Sequence, residues 1–552
     1  MAEPSAPSGP SGHVDTFCAG ALPPRELWPE MSYAALPELA YPPRLNCAAA
    51  LLDARVAAGD GGRTVFRFPG GSWTYGQLLE TANRLAHVLV DDLGVVPGNR
   101  VLLRAPSTPM LAACWFAVLK AGGVVVGTMP LLRPRELVYI ADKAQIQLAL
   151  CDVRLAADCE QAIRRRGDGS PRPGGRVVHF QSEAPGALET LLRDKPATFA
   201  NRDTAADDVA IIAFTSGTTG QGKGTMHFHR DILAASDCFP RHVLRPDPDD
   251  VFCGSPPLAF TYGLGGLLLF PMRCGASTLL LEQASPPQLL QGIQDFRATI
   301  CFTAPTGYRT MCPLVDRFDT GSLRKCVSAG EALPLSTFEA WRRATGIRII
   351  DGIGSTEMLH MFISAADDDI RPGATGKPVP GYEAKVVDEH GDEVPPGTVG
   401  RLAVRGPTGC RYLDNIERQR VYVQGGWNLT GDSYVMDADG YFWYQARTDD
   451  MIVSAGYNIS GPEVEAVLLD HPKVVECGVV GVPDEQRGQV IKAFVVLAPG
   501  AAPGPETARE LQDFVKREIA PYKYPRLVEF VASLPRTATG KLQRFRLREG
   551  GA

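Results

Sequence analysis

Short apolar runs bounded by glycine or charge recur through the chain, and between them apolar side chains return every third or fourth position. Residues 100–103, 124–126, 209–214 and 347–350 read as strands, with 124–126 and 209–214 the uninterrupted apolar runs of buried ones. After Trp73-Thr74-Tyr75, the positions Leu78, Leu79, Ala82, Leu85, Ala86 and Leu89 follow a helical period, with Thr74 as the predicted N-cap. A second helix is predicted over 110–120, ending before Gly122-Gly123. This alternation predicts an α/β architecture of layered, mainly parallel sheets and helices. Asp437-Ala438-Asp439-Gly440 predicts a hairpin turn between two aromatic strands. The last hundred or so residues read as a smaller α/β unit, with helices over 462–469 and 511–519 and strands over 474–482 and 493–497.

Composition narrows the class. At 552 residues the chain exceeds a single hydrophobic core and predicts at least two domains. A formal charge of −6 gives no reason to expect nucleic acid or an acidic membrane as partner. The 13 cysteines are odd in number and form no C-x-x-C pair, which predicts buried thiols in a reducing cytosol. Pro, Ser, Gly and Ala fill the start, which shows no basic segment or apolar core of a signal peptide; residues 1–20 are expected to be a disordered tail. The apolar stretches 112–129 and 262–281 are broken by Lys120 and by Pro271 and Arg273, so no membrane span is predicted. These features predict a soluble, cytoplasmic protein, monomeric or homodimeric.

Candidate chemistry centres on Thr215-Ser216-Gly217-Thr218-Thr219-Gly220-Gln221-Gly222-Lys223-Gly224, directly after the apolar run 209–214. Glycines let backbone N–H groups turn toward an anion, and the hydroxyls and the Lys223 ammonium add donors. Residues Gly217 to Lys223 also fit the P-loop spacing, but Gly224 stands where that motif needs a Ser or Thr for Mg²⁺. The stretch resembles the phosphate-binding loop of the adenylate-forming superfamily, T-S-G-T-T-G-x-P-K-G, with Gly222 in place of proline. That replacement is expected to loosen the loop rather than delete a ligand.

The resemblance continues in order. Gly354-Ser355-Thr356-Glu357 is similar to the second nucleotide motif; Thr356 can donate to a phosphate and Glu357 offers a hard oxygen to Mg²⁺. Taken alone, G-S-T-E fits a helix cap equally well. Ser328-Ala329-Gly330-Glu331 resembles the segment that stacks on adenine and lines the substrate channel. Asp432, in Trp427-Asn428-Leu429-Thr430-Gly431-Asp432, corresponds to the carboxylate on the ribose hydroxyls, although an Asx turn also explains it. Arg447 and Asp449 match the ribose contact and hinge of the interdomain junction. Gly456-Tyr457 matches the pantetheine tunnel, and Lys541 in Pro535-Arg536-Thr537-Ala538-Thr539-Gly540-Lys541 matches the catalytic lysine.

The resemblance therefore implies residues 21–448 as an N-terminal AMP- and acyl-binding domain and 449–552 as a small mobile C-terminal domain. It implies ATP, Mg²⁺ and CoA as cofactors and co-substrates. Within the superfamily the chain resembles the aryl-CoA ligase branch, 2-aminobenzoate–CoA ligases first and benzoate- and salicylate-type ligases next. Leu22-Pro23-Pro24-Arg25 and Tyr41-Pro42-Pro43-Arg44-Leu45-Asn46 carry part of that likeness. An aryl pocket is expected near Tyr262, Ala329 and His360, with His229-Arg230 on its rim; Phe260 fits either that pocket or the core. His227 and His229 have metal-pair spacing but no third ligand nearby. Lys523 and Arg526 fit CoA phosphates or a solvated face. A carrier-protein thiol is the alternative acyl acceptor, and a P-loop hydrolase, which would release ADP, is disfavoured by Gly224 and Lys541.

Overall fold

The two nucleotide motifs of the N-terminal part lie on different sheets, and the folding of those sheets brings them together. The computed structural model describes residues 10–215, 222–447, 450–454, 457–484, 487–519, 521–537 and 540–549. A six-stranded sheet runs Arg176–Phe180, Leu148–Asp152, Arg100–Arg104, Val124–Thr128, Val209–Thr215, Lys223–Phe228. All of its pairings are parallel except the last, in which Thr215 lies opposite Lys223. A nine-stranded sheet has a parallel centre made by Thr64–Phe68, Ser277–Leu279, Val251–Gly254, Ile300–Thr303, Lys325–Ser328 and Ile349–Gly354.

In the parallel centre, strands Val251–Gly254 and Ile300–Thr303 are buried along their whole length, as parallel strands covered on both faces are. Helix Pro109–Lys120 packs against helix Tyr75–His87 and is buried along its length, with Thr108 capping Leu111 N. Thr74 and Gln77 form the reciprocal capping box of helix Tyr75–His87, as the sequence predicts. Parallel pairing does not extend to the third sheet. Glu383–Val387, Val399–Arg405, Trp427–Met436, Val423–Gln424 and Phe442–Arg447 pair antiparallel, joined in part by the Asp437–Gly440 turn.

The C-terminal unit has its own core around Ile452, Val464, Leu468, Val479, Ile491, Leu511 and Val515. Helices Gly461–Leu469 and Pro505–Glu518 cover a mostly antiparallel sheet built on Val474–Asp484 and Gly488–Leu497.

One expectation needs correcting. Residues 10–20 do not behave as a free tail: Phe17–Ala21 is helical, Cys18 is fully buried, Asp15 pairs with Arg100, and Gly12 N donates to Asp208 Oδ2 at 2.8 Å. A buried thiol and two anchored polar groups outweigh the local composition. All 13 cysteines are free thiols. Among the described residues no helix is long and apolar enough to cross a membrane.

The N-terminal core encloses a fully buried ion pair, Arg411 Nη1 to Asp231 Oδ2 at 2.8 Å. The Arg411 guanidinium stacks 4.0 Å from the Phe228 ring centroid and 5.0 Å from that of Trp28. Asp231 also accepts Phe228 N at 2.9 Å, at the start of helix His229–Phe239. Asp231→Asn leaves a buried cation without its counter-charge and is expected to cost about 3–5 kcal/mol. The downward shift of the urea unfolding midpoint measures it, and an unchanged midpoint would contradict the account.

Candidate active site

The site assembles where parallel strands end. Ser328-Ala329-Gly330-Glu331 leaves strand Lys325–Ser328, and Gly354-Ser355-Thr356-Glu357 leaves strand Ile349–Gly354 at the same edge of the sheet. The carboxyl ends of such strands are the usual ligand crevice of an open α/β sheet. The phosphate-loop strands reach this edge through His227, whose Nε2 lies 2.8 Å from the Thr356 carbonyl oxygen. Burial pushes the His227 pKa down to about 4, so the neutral ring donates from Nε2 and pins the Thr356 backbone. The turn beyond it places Leu359 at φ +70°, a left-handed conformation that a leucine adopts only under tertiary constraint.

Glu357 is oriented by Tyr412, whose hydroxyl donates to Oε1 at 2.7 Å. Tyr412 follows Arg411, so the buried ion pair and the carboxylate it helps to place belong to one continuous segment. Ser355 Oγ accepts Met358 N at 3.2 Å, and a Cβ on Gly354 would come within 2.6 Å of the His360 carbonyl oxygen. Thr215 and Lys223 pair across the base of the phosphate loop. A Cβ on Gly222 would lie 2.8 Å from the Thr215 carbonyl oxygen, so glycine permits a close approach there. Ser216, Gly217, Thr218, Thr219 and Gly220 lie outside the described residues, as do Asp449 and Gly456; Tyr457 opens the short strand Tyr457–Ile459.

On the antiparallel sheet, Asp432 and Arg447 are register partners, and Arg447 Nη1 donates to Asp432 Oδ1 at 3.0 Å. Lys541 enters this region from the C-terminal unit. Its Cε lies 3.7 Å from where a Cβ on Gly330 would be, and Gly330 itself has φ +91°. Lys541 remains solvent-accessible but lies within a cleft walled by both units. Desolvation there lowers its pKa, reinforced by Arg447 and opposed by the carboxylates of Asp432, Glu331 and Glu357. The units are tied nearby by Arg536, 3.7 Å from Glu331, and by Arg309, 3.7 Å from Glu476, while Arg536 also pairs with Glu476 at 3.0 Å within the C-terminal unit.

The expected aryl wall is partly assembled. Tyr262 and His360 have ring centroids 5.8 Å apart, and the His360 Nε2 lies 3.3 Å from the Tyr262 carbonyl oxygen. Tyr262 donates its hydroxyl to the Val327 carbonyl at 3.1 Å, two residues before Ala329. His229 is not on that rim. Its ring is fully buried, Nδ1 accepts Cys47 N at 3.2 Å, and the charges it senses are those of His13 and Asp208. His227, on strand Lys223–Phe228, is the histidine that serves the site, whereas His229 is the first residue of the helix that follows the strand. Lys523 is held by Glu463 at 2.6 Å, and Arg526 stacks on Tyr524. Tyr412 and His227 were missed as supports because both act on a motif far away in sequence.

Comparison with known proteins agrees with this geometry. Residues 53–412 match the AMP-binding enzyme family, and residues 463–541 match the AMP-binding enzyme C-terminal domain. The chain belongs to the AMP-binding enzyme family. It is 35% identical to a benzoate–CoA ligase of Thauera aromatica over 93% of this chain and 97% of that protein. Among solved structures, an anthranilate CoA ligase in complex with anthranoyl-AMP superposes with a TM-score of 0.87 at 36% identity, over 93% of this chain and 99% of the other. A benzoate CoA ligase from Burkholderia xenovorans LB400 gives a TM-score of 0.83 at 36% identity, over 91% and 100%. The adenylate-forming, aryl-CoA ligase branch suggested by the motifs is where these relatives lie.

The charges around Lys541 make a directional prediction. Glu331 favours the ammonium form, so Glu331→Gln is expected to move the Lys541 titration to lower pH. NMR of isotopically labelled lysine Cε would follow it; a midpoint that stays or rises would refute the assignment.

Proposed function

We propose that this AMP-binding enzyme is an ATP-dependent aryl-CoA ligase acting on 2-aminobenzoate in the cytoplasm. The observation that carries the reaction is the convergence of Lys541, Glu331, Asp432 and Glu357 in one cleft between the two units. In the first step a carboxylate oxygen attacks the α-phosphorus of ATP. An acyl–O–P bond forms, the bond from Pα to the bridging oxygen breaks, and pyrophosphate leaves. Negative charge accumulates around the α-phosphate, and a preorganised ammonium stabilises it. Lys541 has that role, while Thr215, Lys223 and the phosphate loop hold the β- and γ-phosphates. Thr356 donates to a phosphate oxygen; Gly354, Ser355 and Gly330 border the nucleotide; Asp432 and Arg447 hold the ribose.

Glu357 fits a divalent cation: it is a hard carboxylate with one oxygen already oriented by Tyr412. Bound Mg²⁺ would neutralise phosphate charge. In the second step the CoA thiol attacks the acyl carbon and AMP leaves. Lys541 must then withdraw, which the small unit does by turning about Asp449, bringing Gly456 and Tyr457 to the pantetheine.

Support for 2-aminobenzoate comes from the likeness to the anthranilate ligase and from His360. Burial pushes the His360 pKa to about 3, so the ring is neutral. With Nε2 donating to the Tyr262 carbonyl, Nδ1 keeps a lone pair that has no protein partner among the described residues. It is the acceptor that an ortho amino group requires and an unsubstituted ring does not.

An assay with ATP, Mg²⁺ and CoA against 2-aminobenzoate, benzoate, salicylate and a medium-chain fatty acid tests the reading. AMP, pyrophosphate and an aryl-CoA led by 2-aminobenzoate are expected. Adenylate without a CoA product would point to a carrier-protein thiol as acceptor. Lys541→Ala is expected to lower adenylation about 10²- to 10³-fold, while thioester formation from supplied aryl-adenylate largely survives. Equal loss of both half-reactions would sink the two-conformation mechanism.

A further inference from the structure

Four charged side chains alternate in sign across the boundary between the two units. Thr306 and Arg309 lie on helix Pro305–Met311 of the N-terminal unit, at a spacing that puts them on one face. Thr306 holds Glu331: its Oγ1 donates to Oε2 at 2.6 Å and its N at 3.3 Å, which leaves Oε1 facing Arg536 of the C-terminal unit at 3.7 Å. Arg309 lies 3.7 Å from Glu476, on strand Val474–Asp484, and Glu476 pairs in turn with Arg536 at 3.0 Å. These four side chains are between 22% and 30% exposed, so water and salt screen them only in part.

Arg536 also holds the backbone that carries Lys541. Its Nη1 donates to the Gly540 carbonyl at 2.6 Å, in the peptide directly before Lys541. Lys541 N donates to Thr537 Oγ1 at 3.1 Å, the Lys541 carbonyl accepts Thr537 N at 2.8 Å, and Arg536 bridges antiparallel to Leu542. Just beyond, Arg544 ties the chain to Glu465 at 2.6 Å. The hairpin is thus fixed to its own unit at Glu465 and Glu476, and Arg536 carries that frame across to Glu331, beside the Gly330 that the Lys541 side chain approaches. We propose that Arg536 is a positioning residue for adenylation: it clamps the Lys541 hairpin to Glu331 in the first half-reaction and releases it when the small unit turns for the second. The inference rests on the ligase reading above and adds to it the contact that aligns the lysine. A planar guanidinium with five donors can serve a carbonyl and two carboxylates in one fixed geometry, which a lysine point charge cannot. The crossing contacts are individually weak, so the clamp favours one arrangement without trapping it. Alignment matters because a misplacement of about 1 Å can cost a catalytic group about 100-fold.

The test measures the two half-reactions separately on the full chain, with the acid of the panel above that the parent protein activates best. Arg536→Gln is expected to lower the kcat of isotope exchange between pyrophosphate and ATP about 10- to 100-fold, the worth of one charged hydrogen-bonding contact. The KM for ATP should stay within about twofold of the parent, and so should thioester formation from supplied aryl-adenylate and CoA. Arg536→Lys, which keeps the charge, should recover part of the exchange rate. Arg309→Gln, in the other unit, should show the same one-sided loss at about 2- to 5-fold, and it tests the clamp even where Arg536→Gln folds poorly. Arg546→Gln, an exposed arginine in the same C-terminal segment, should behave as the parent protein does. Limited proteolysis of the ligand-free chain, which needs no activity, should separate the two units faster in Arg536→Gln than in the parent. Equal loss of both half-reactions, unchanged exchange in Arg536→Gln, or an unchanged rate of separation would each overturn the proposal. Failure of the ligase reading would show separately, as an absence of aryl-adenylate and aryl-CoA from the parent protein.

Discussion

The buried Arg411–Asp231 pair is the constraint on which the N-terminal half of the site depends. Burying two charges is costly, and this pair is compensated by aromatic faces on the cation and a backbone N–H on the anion. Three strands of chain are thereby held together. Met226 N donates to the Arg411 carbonyl, which ties the second phosphate-loop strand to the 409–412 segment. His227, beside Met226, pins the Thr356 carbonyl, and Tyr412, beside Arg411, holds Glu357. A salt bridge remote from any phosphate thus sets the relation between the loop that would wrap a triphosphate and the carboxylate that would share its metal.

The second half of the site is electrostatic and crosses the two units. Lys541 enters a cleft where desolvation favours the neutral amine and three carboxylates oppose that shift. Such a lysine is held by charge rather than by packing, so it can be withdrawn without breaking a core. The ties beside it, Arg536 to Glu331 and Arg309 to Glu476, are longer than 3.5 Å and partly exposed, the kind of contact that yields easily. Weak interdomain ion pairs around a strongly placed lysine suit a reaction whose two steps need different arrangements.

The sequence by itself determined the architecture and the identity of the chemical groups. Apolar runs read as buried strands, the Thr74 cap and the Asp437–Gly440 turn are local, and a loop of glycine, hydroxyls and lysine points to phosphate. These properties depend on neighbours a few residues away. The tertiary structure decided which groups meet. His227 and His229 look alike in the sequence, yet the strand turns His227 to the Thr356 carbonyl while His229, at the start of the next helix, is buried against Cys47. Residues 10–20 look like a tail in composition and are anchored by Arg100 and Asp208, which lie far along the chain. Long-range pairing of buried polar groups has no local signature, because its energy comes from the partner and from the loss of water around both.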